Sequence, residues 1–473
     1  VTGSTRPAPG RRSFRPVAGL LAAIAVSLTG TRISAISIPW FVLVTSGSAA
    51  QTGVVAFFEM APYVLVKAFA GPLVDRAGPR VVSWTTDLVS AGAAAAVPLL
   101  HTLGQLSYPV LLGLVCLIGA ARGPGDSAKQ IMVPEVADRG RIPLERATGM
   151  EGIIERLAST VGPAAGGALV AAAGPLTGLT VNAACFALGS LIIAVFLPRG
   201  TGRPVPPSPS TSTATATATA TSPGAVGADR AGQPGQAGYW RRFGEGFAFL
   251  RRDPLLLTVI TVIGLTNFLD AAFMSVLLPV WAHDSGHGPA AIGQVNAAQG
   301  VLAIGGSFLA ATFAHRLPRR LVFFVAFLFA GAPRFLVLAT DLPLWAVLGV
   351  FAIGGFGAGF VNPILGAISF ERVPRPLLGR VKALGDSLAW TGIPLGGLAA
   401  GAAVTSLGLA PVLVVCGAAY FLTTNLAALR PEWKEMDRTR GKGAAPVPLQ
   451  HETSAAPPDR DAAPPERTSP HPP

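Results

Sequence analysis

Charge is scarce in this 473-residue chain. Asp, Glu, Lys and Arg make up 13% of it and hydrophobic residues 51%, against roughly 25% charged in a soluble domain. A soluble fold of this length would need polar surface that the composition does not supply. Cysteine is scarcer still. Cys116, Cys185 and Cys416 stand singly within apolar stretches, which excludes a disulfide framework or a thiolate metal site and leaves small packed side chains. No metal and no cofactor is expected. The chain also lacks a G-x-x-x-x-G-K-[ST] phosphate loop, an H-E-x-x-H pair and a G-x-S-x-G elbow, and no polar segment is large enough for a nucleotide-binding domain. Neither an enzyme nor an ATP-driven pump is therefore expected. The dinucleotide-like spacing GGFGAG at 354–359 lies inside an apolar run with no strand before it, and reads as close helix packing.

What the chain has in quantity is apolar sequence. Twelve runs, at about 17–44, 52–70, 81–99, 108–128, 147–171, 178–197, 255–281, 290–313, 321–339, 344–368, 383–404 and 411–428, are near the roughly 20 residues that span a bilayer as a helix. They are continuous rather than alternating, which selects helices over a membrane barrel. The first run is too long for the apolar core of a cleavable signal, so it is expected to remain as a helix.

The formal charge of +12 could suggest nucleic acid, but its placement points to the bilayer. Of the 36 Lys and Arg, 31 fall in alternate connections and the two tails. The intervening connections (45–51, 99–107, 172–178, 283–289, 339–343 and 405–410) carry none. This positive-inside pattern places both termini in the cytoplasm and needs no nucleic-acid partner to explain it. Arg-, Ala- and Gly-rich usage with few Lys resembles a GC-rich bacterium, so the bacterial inner membrane is the expected location.

The chain divides into a basic cytoplasmic arm (1–16), a first bundle (17–197), a linker (198–254), a second bundle (255–428) and a tail (429–473). The linker opens with a Pro/Ser/Thr/Ala/Gly run lacking apolar periodicity. It closes, from Tyr239 to Arg252, with aromatic and basic residues at helical spacing, which predicts an interfacial helix. The Pro-rich, charged tail is expected to be disordered.

The two bundles share landmarks at an ungapped offset of 240 residues: Pro39 and Pro279, Gly53 and Gly293, Arg76 and Arg316, Arg80 and Arg320. Two homologous halves predict a duplicated transporter with its pathway between them. The segment GPLVDRAGPR, Gly71 to Arg80, resembles the loop between helices 2 and 3 of the major facilitator superfamily, G-x-L-x-D-R-x-G-R-R, with Pro79 in place of one basic residue. GTRISAISIPWFVL, MVPEVADRGRIPLERATG and ERVPRPLLGRVKALGDSLAWTGIPLGG resemble its drug-exporter branch, which includes macrolide efflux proteins and the enterobactin exporter. The resemblance covers about residues 14–430. It implies an all-α membrane protein of twelve helices in two pseudo-symmetric six-helix bundles, which rock about a central cavity and export small molecules against proton influx. A monomer is expected, with a small-molecule substrate, protons and the lipid bilayer as its partners.

In the loop, Gly71 and Gly78 permit tight turns, while Asp75, Arg76 and Arg80 supply charge at the membrane surface. In similar transporters the loop Asp latches a cytoplasmic gate against the start of helix 11, here near Gly379, Arg380 and Lys382. A merely topogenic turn is the alternative. Five basic residues lie outside the cytoplasmic set: Arg32, Lys67, Arg122, Arg156 and Arg334. Lys67 can snorkel. Arg122 and Arg156 have Asp126, Glu151 and Glu155 within reach as gate ion pairs. Arg334 has no obvious partner. Asp270 and Glu59 are candidate proton carriers at mid-membrane, since burial away from a cation favours the neutral acid. Arg32 is placed as the electrostatic neighbour of Asp270, and a fixed structural pair is an equal alternative. Glu59 corresponds to Gln299, which cannot titrate. Asp87 and Asp386 are gate candidates.

VGPAAGG in helix 5 resembles the antiporter motif G-x-x-x-G-P-x-x-G-G, with Ala158 replacing its first Gly. Gly162, Pro163, Gly166 and Gly167 are its packing residues. Trp40 and Trp390 are candidate cavity-lining aromatics. A non-transporting receptor or assembly factor on the same fold, and an uptake permease, remain as other readings.

Overall fold

The computed structural model describes residues 14–199, 201, 247–248, 250–251, 253–313, 318–373 and 378–429. Most of the N-terminal arm, most of the linker and of its expected interfacial helix, His315, Arg316 and nearly all of the tail lie outside these residues. All regular structure among them is helical.

The first half comprises α1 (Arg15–Ser46), α2 (Ala49–Ala68), α3 (Ala70–Ala77), α4 (Pro79–Thr102), α5 (Tyr108–Gly140), α6 (Leu144–Ala173) and α7 (Pro175–Phe196). The second comprises α8 (Pro254–Asp284, with a π-helical turn at Phe273–Leu277), α9 (Gly288–Phe313), α10 (Arg319–Ala330), α11 (Ala332–Leu338), α12 (Leu344–Arg372), α13 (Leu378–Trp390), α14 (Ile393–Leu407) and α15 (Leu409–Leu429). Joining α10 to α11 across Gly331, and α13 to α14 across Thr391 and Gly392, leaves twelve passages plus the short α3. Helix starts follow local chemistry. The Ser48 side chain accepts from the Gln51 amide, and Asp253 accepts from the Leu255 and Leu256 amides, which satisfies N–H groups left free in a first turn.

Nine of these passages are long and apolar enough on their own to cross a bilayer. The other three, α4, α6 and α9, are rich in Ala, Gly and Ser. For α6 and α9 the reason is visible in the packing, because they meet each other across the two halves, where small side chains let backbones approach. A Cβ on Gly293 would lie 2.8 Å from the Pro163 carbonyl oxygen, and one on Gly167 would lie 2.8 Å from Gly293 Cα. The mirror contact joins α2 to α14, where a Cβ on Gly53 would collide with the Gly397 carbonyl oxygen and lie 3.2 Å from Gly401 Cα. The repeated glycines 53 and 293 thus both stand where backbones of the two halves meet most closely among the described residues.

This seam closes the end of the bundle whose connections lack Lys and Arg. Ile36, Leu43, Ala49 and Val170 of the first half join a buried cluster with Leu278, Trp281, Ile292 and Val404 of the second. At the basic end the clusters stay within one half. One is built on Val17, Met132 and Ala147, another on Val74 and Ala128, and a third on Leu256 and Val381. Among the described residues, no buried cluster joins the two halves at the basic end.

Three expectations change. The segment beginning at Gly71 is largely helical, and Gly71 lies inside α3; only Gly78, with φ of +85°, uses glycine's freedom to turn. The ungapped register fails in α12: Gly119 packs on the Glu59 backbone, whereas Gly355, not Gly359, packs on that of Gln299. The repeat there is 236 residues, a slip of four that returns the same helix face. Lys129, counted among the basic connections, lies inside α5 and is 3% exposed.

Gly53→Ala is expected to lower stability by about 1–3 kcal/mol, because an added methyl in a filled contact has to displace backbone. Gly113→Ala, where a Cβ meets open space, should leave it unchanged. Thermal unfolding of the detergent-solubilised protein checks both.

Candidate transport pathway and its buried charges

Helical spacing assembles the first charged cluster. Glu59, Tyr63 and Lys67 recur every four residues on one face of α2, and Arg122 and Asp126 do so on α5. Gly119 and Gly123 let the helices touch: a Cβ on Gly123 would sit 2.8 Å from the Tyr63 carbonyl oxygen. Arg122 lies 3.2 Å from Glu59 and 3.9 Å from Asp126, and its guanidinium is 4.6 Å from the Tyr63 ring centroid. The Tyr63 hydroxyl donates to Asp126 at 3.3 Å. Lys67 does not snorkel to the surface. Its ammonium donates to the Tyr63 hydroxyl at 3.2 Å and lies 4.6 Å from the Trp390 ring centroid. The Tyr63 and Trp390 rings are stacked at 6.3 Å, so this cluster reaches the second half through α13. In the second half the same helix face carries Gln299, Ala303 and Ser307, against Gly355 and Gly359. The packing repeats and the charges do not.

Toward the basic end, Asp87 of α4 is paired with Lys129 of α5 at 2.9 Å, and Lys129 also donates to Ser27 of α1 at 3.1 Å. Asp87 is 2% exposed. The gate candidate is therefore one member of a buried pair whose cation the sequence reading misassigned to a connection. A second such site stands in the other half. Arg334, expected to be without a partner, forms an ion pair with Asp270. Its guanidinium is caged by the rings of Phe273, Phe335 and Tyr420, at 5.3, 5.1 and 4.9 Å, a favourable setting for a desolvated cation. The break at Gly331 makes the cage possible, since a Cβ there would press on Tyr420 at 2.6 Å. The expected pairing of Asp270 with Arg32 is replaced by this one.

Arg32 instead faces the first-half cluster. Its electrostatic neighbours are Arg122, Glu155 and Asp126, and its Nε is buried without a hydrogen-bond partner. Gly162 takes the Arg32 stem and Gly166 takes Ile33, while the Pro163 carbonyl and Gly167 meet Gly293. The helix-5 motif thus packs on α1 with one face and on the opposite half with the other. Glu155 and Arg156 are exposed rather than joined as a buried pair. At the basic surface Asp75 and Arg76 are exposed. Arg80 donates to the Leu197 and Ala194 carbonyls at 2.8 and 2.6 Å, satisfying the open end of α7. The side chain of Arg380 lies outside the described residues. Asp386 is exposed on α13, and Trp40 meets His283 edge-on across the seam at 6.0 Å.

Two six-passage bundles, a seam of small residues at one end and charges buried at mid-depth define a membrane transporter with its pathway between the halves. The family model described as Major Facilitator Superfamily matches residues 20–267 and 260–458, and the chain belongs to that superfamily. It is similar to the multidrug efflux pump Tap of Mycobacterium tuberculosis, 30% identical over 422 residues that cover 88% of this chain and 94% of the relative. For Tap of Mycolicibacterium fortuitum the identity is 29%, over 89% and 97%. Staphylococcus aureus staphyloferrin A transporter is 24% identical over 34% of this chain and 41% of its own length. Among solved structures, the nucleoside transporter NupG superposes with a TM-score of 0.64 at 12% identity, covering 88% of this chain and 98% of its own. An inward-facing, unoccupied bacterial homologue of the human lysosomal transporter Spinster gives 0.63 at 15%, covering 93% and 100%. At those identities the likeness is one of fold.

Lys129→Met is expected to destabilise the protein by about 3–5 kcal/mol, because it strands the Asp87 carboxylate in the bundle interior. Adding Asp87→Asn should restore much of the loss. Unfolding midpoints of the single and double variants check this, and a double variant no better than the single would remove the pair.

Proposed function

We propose that this protein is a proton-coupled exporter of amphipathic small molecules, a monomer of the bacterial inner membrane with its basic end and both termini in the cytoplasm. Three kinds of support converge. The relatives that match most of the chain carry the name of a multidrug efflux pump; Lys and Arg gather at one end of the bundle; and titratable carboxylates stand at mid-depth in both halves. The last observation carries the coupling, since a purely structural bundle has no need of Glu59 or Asp270 there.

In this reading Glu59 is the first-half proton carrier. A proton on Glu59 cancels its pairing with Arg122, and Arg122 turns to Asp126, one helical turn nearer the basic end. Tyr63 and Lys67 touch Trp390, so the rearrangement bears directly on α13. Asp270 is the corresponding group in the second half, with Arg334 as its fixed counter-ion. This conformation, with its halves joined in a buried cluster at the opposite end, is the state open to the cytoplasm. In the opposite state Asp75 meets the N-terminus of α13 near Arg380, an interaction of about 0.3–1 kcal/mol, enough to bias the exchange without freezing it.

The test uses purified protein in vesicles with an imposed pH gradient and a screen of amphipathic fluorescent compounds. Proton movement on substrate addition is expected. Glu59→Gln should abolish gradient-driven flux while leaving downhill exchange, and Asp75→Asn should slow both by up to about five-fold at unchanged abundance. Flux without proton movement would defeat the coupling, and no flux of any compound would defeat transport.

A further inference from the structure

A hollow of about 420 Å³ opens at the basic end of the first half, where α1 begins and α7 ends. It is lined by Arg15, Pro16, Val195, Phe196, Leu197 and Pro198, and its size falls within the roughly 300–1,000 Å³ of small-ligand sites. Gly19 shares a helix face with Arg15, one turn on. There α1 and α7 cross closely, since a Cβ on Gly19 would lie 2.5 Å from Phe196 Cβ. Past that crossing the hollow separates the first turn of α1 from the last of α7. A helix C-terminus ordinarily presents partial negative charge. Here Arg80 donates to the Ala194 and Leu197 carbonyls and offsets it. Arg199 follows directly after the lining and is exposed, as is Arg15. Neither α1 nor α7 contains an Asp or Glu, and the single acid of α4, Asp87, is held by Lys129. At the end of α5, which meets α1 at Val17, Glu135 is paired with Arg139, and Asp138 is followed by Arg139 and Arg141. Arg15 and Arg199 form no ion pair among the described residues. Apolar surface continues from the hollow toward mid-membrane. Leu188, Leu191 and Val195 are exposed along one face of α7, and Ala18 and Ala22, one and two turns after Arg15, are exposed on α1.

We infer that this hollow holds the headgroup of an anionic phospholipid, with Arg15 and Arg199 taking the phosphate oxygens and the exposed face of α7 carrying an acyl chain. Basic side chains at the headgroup layer attract anionic lipid in general. The hollow adds a fixed place, with cations at its mouth and an apolar track leading inward from it. Free phosphate would meet the arginines but gain nothing from that track, so a lipid is the occupant that uses the whole surface. A headgroup with its own ammonium, as in phosphatidylethanolamine, finds no carboxylate on α1 or α7 to receive it. An uncharged headgroup of the phosphatidylglycerol kind meets only cations and apolar walls. Pro198, at the edge of the hollow, is also where the first bundle passes into the linker, so a bound lipid ties the start of α1 to the point from which the linker leaves. Occupancy is independent of substrate and of proton coupling, and it needs only a bilayer around the basic end.

The test titrates full-length protein in neutral detergent with dioleoyl phosphatidylglycerol or dioleoyl phosphatidylethanolamine and follows retained lipid by native mass spectrometry. Wild type is expected to hold a phosphatidylglycerol more tightly than a phosphatidylethanolamine by roughly five-fold or more, the scale of one basic side chain at an anionic headgroup. Arg15→Gln and Arg199→Gln should each reduce that preference, and the double variant should erase it. Arg139→Gln, at a cation already paired with Glu135, should leave it intact. Arg15→Lys, which keeps the charge, should retain most of the preference and serves if the Gln variant does not fold. Val195→Asn, which makes the apolar track polar, should weaken both lipids alike. Equal retention of the two lipids by wild type would overturn the inference, and so would a preference unchanged in the folded double variant. Displacement of the phosphatidylglycerol by inorganic phosphate at equal concentration would also overturn it, by making the site one for a soluble anion.

Discussion

A charge within the hydrocarbon layer has to be answered inside the protein, and that requirement organises the middle of this molecule. Each ionised side chain at a helix centre costs about 2.5–3.5 kcal/mol on insertion scales. Lys129 is answered by Asp87, Arg122 by Glu59 and Asp126, and Arg334 by Asp270 and three rings. These pairs pin α4 to α5, α2 to α5, and α8 to α11. Every one of those links lies within a single half. Along the seam between the halves the contacts are of another kind, with glycine backbones and small side chains meeting at Gly53 and Gly293 and, apart from these, Tyr63 and Lys67 resting on the Trp390 ring. Strong, directional bonds thus hold each bundle as a body, and weak, non-directional packing joins the bodies. That division permits the halves to rock without breaking internal pairs.

The halves have diverged where packing allows it. Wherever backbones meet, only a small residue fits, and the demand is the same on both sides of the pseudo-twofold axis. Gly53 and Gly293 therefore match, and so do Gly119 and Gly355 once the slip in α12 is allowed for. Charge carries no such demand. Glu59, Tyr63 and Lys67 face Gln299, Ala303 and Ser307 in the repeat, while Asp270 and Arg334 face Gly30 and Ala94. A duplicated shell with unlike linings places the chemistry in the linings.

Much of the fold was legible from periodic features. Apolar length marked the twelve passages, the alternation of Lys and Arg marked the two ends, and the repeated landmarks marked the duplication, though not that Gly53 and Gly293 form the seam. The charged partners were harder to read, for reasons specific to each. Lys129 was hidden because counting basic residues treats each Lys near a helix end as topogenic, and α5 runs a dozen residues past its apolar stretch. Asp270 was matched to the wrong arginine because the 240-residue register reports depth and says nothing about which helix lies alongside. The Arg334 cage depends on a backbone break at Gly331, and no periodicity announces it. The helix from Ala70 to Ala77 was read as a turn because Gly71 within it and Gly78 just after it are ambiguous in sequence, and only Gly78 bends.

The energies set a hierarchy among the candidate switches. Inverting a population from 1:99 to 99:1 takes about 5.5 kcal/mol of differential stabilisation. An interaction at a surface helix terminus is worth about 0.3–1 kcal/mol, so the Asp75 loop can trim the balance but cannot drive it. Uncoupling a buried ion pair is worth about 3–5 kcal/mol, which is the right order. Of the buried pairs, Asp87 with Lys129 is enclosed within the first bundle and touches nothing across the seam. The Glu59 cluster is different, because Tyr63 and Lys67 both rest on Trp390 of the other half. In the proposed coupling, a change in pairing at Glu59 would be passed to α13 at the break where that helix gives way to α14. Among the named contacts, that aromatic ring is where an event worth several kcal/mol in one half meets the other half's backbone.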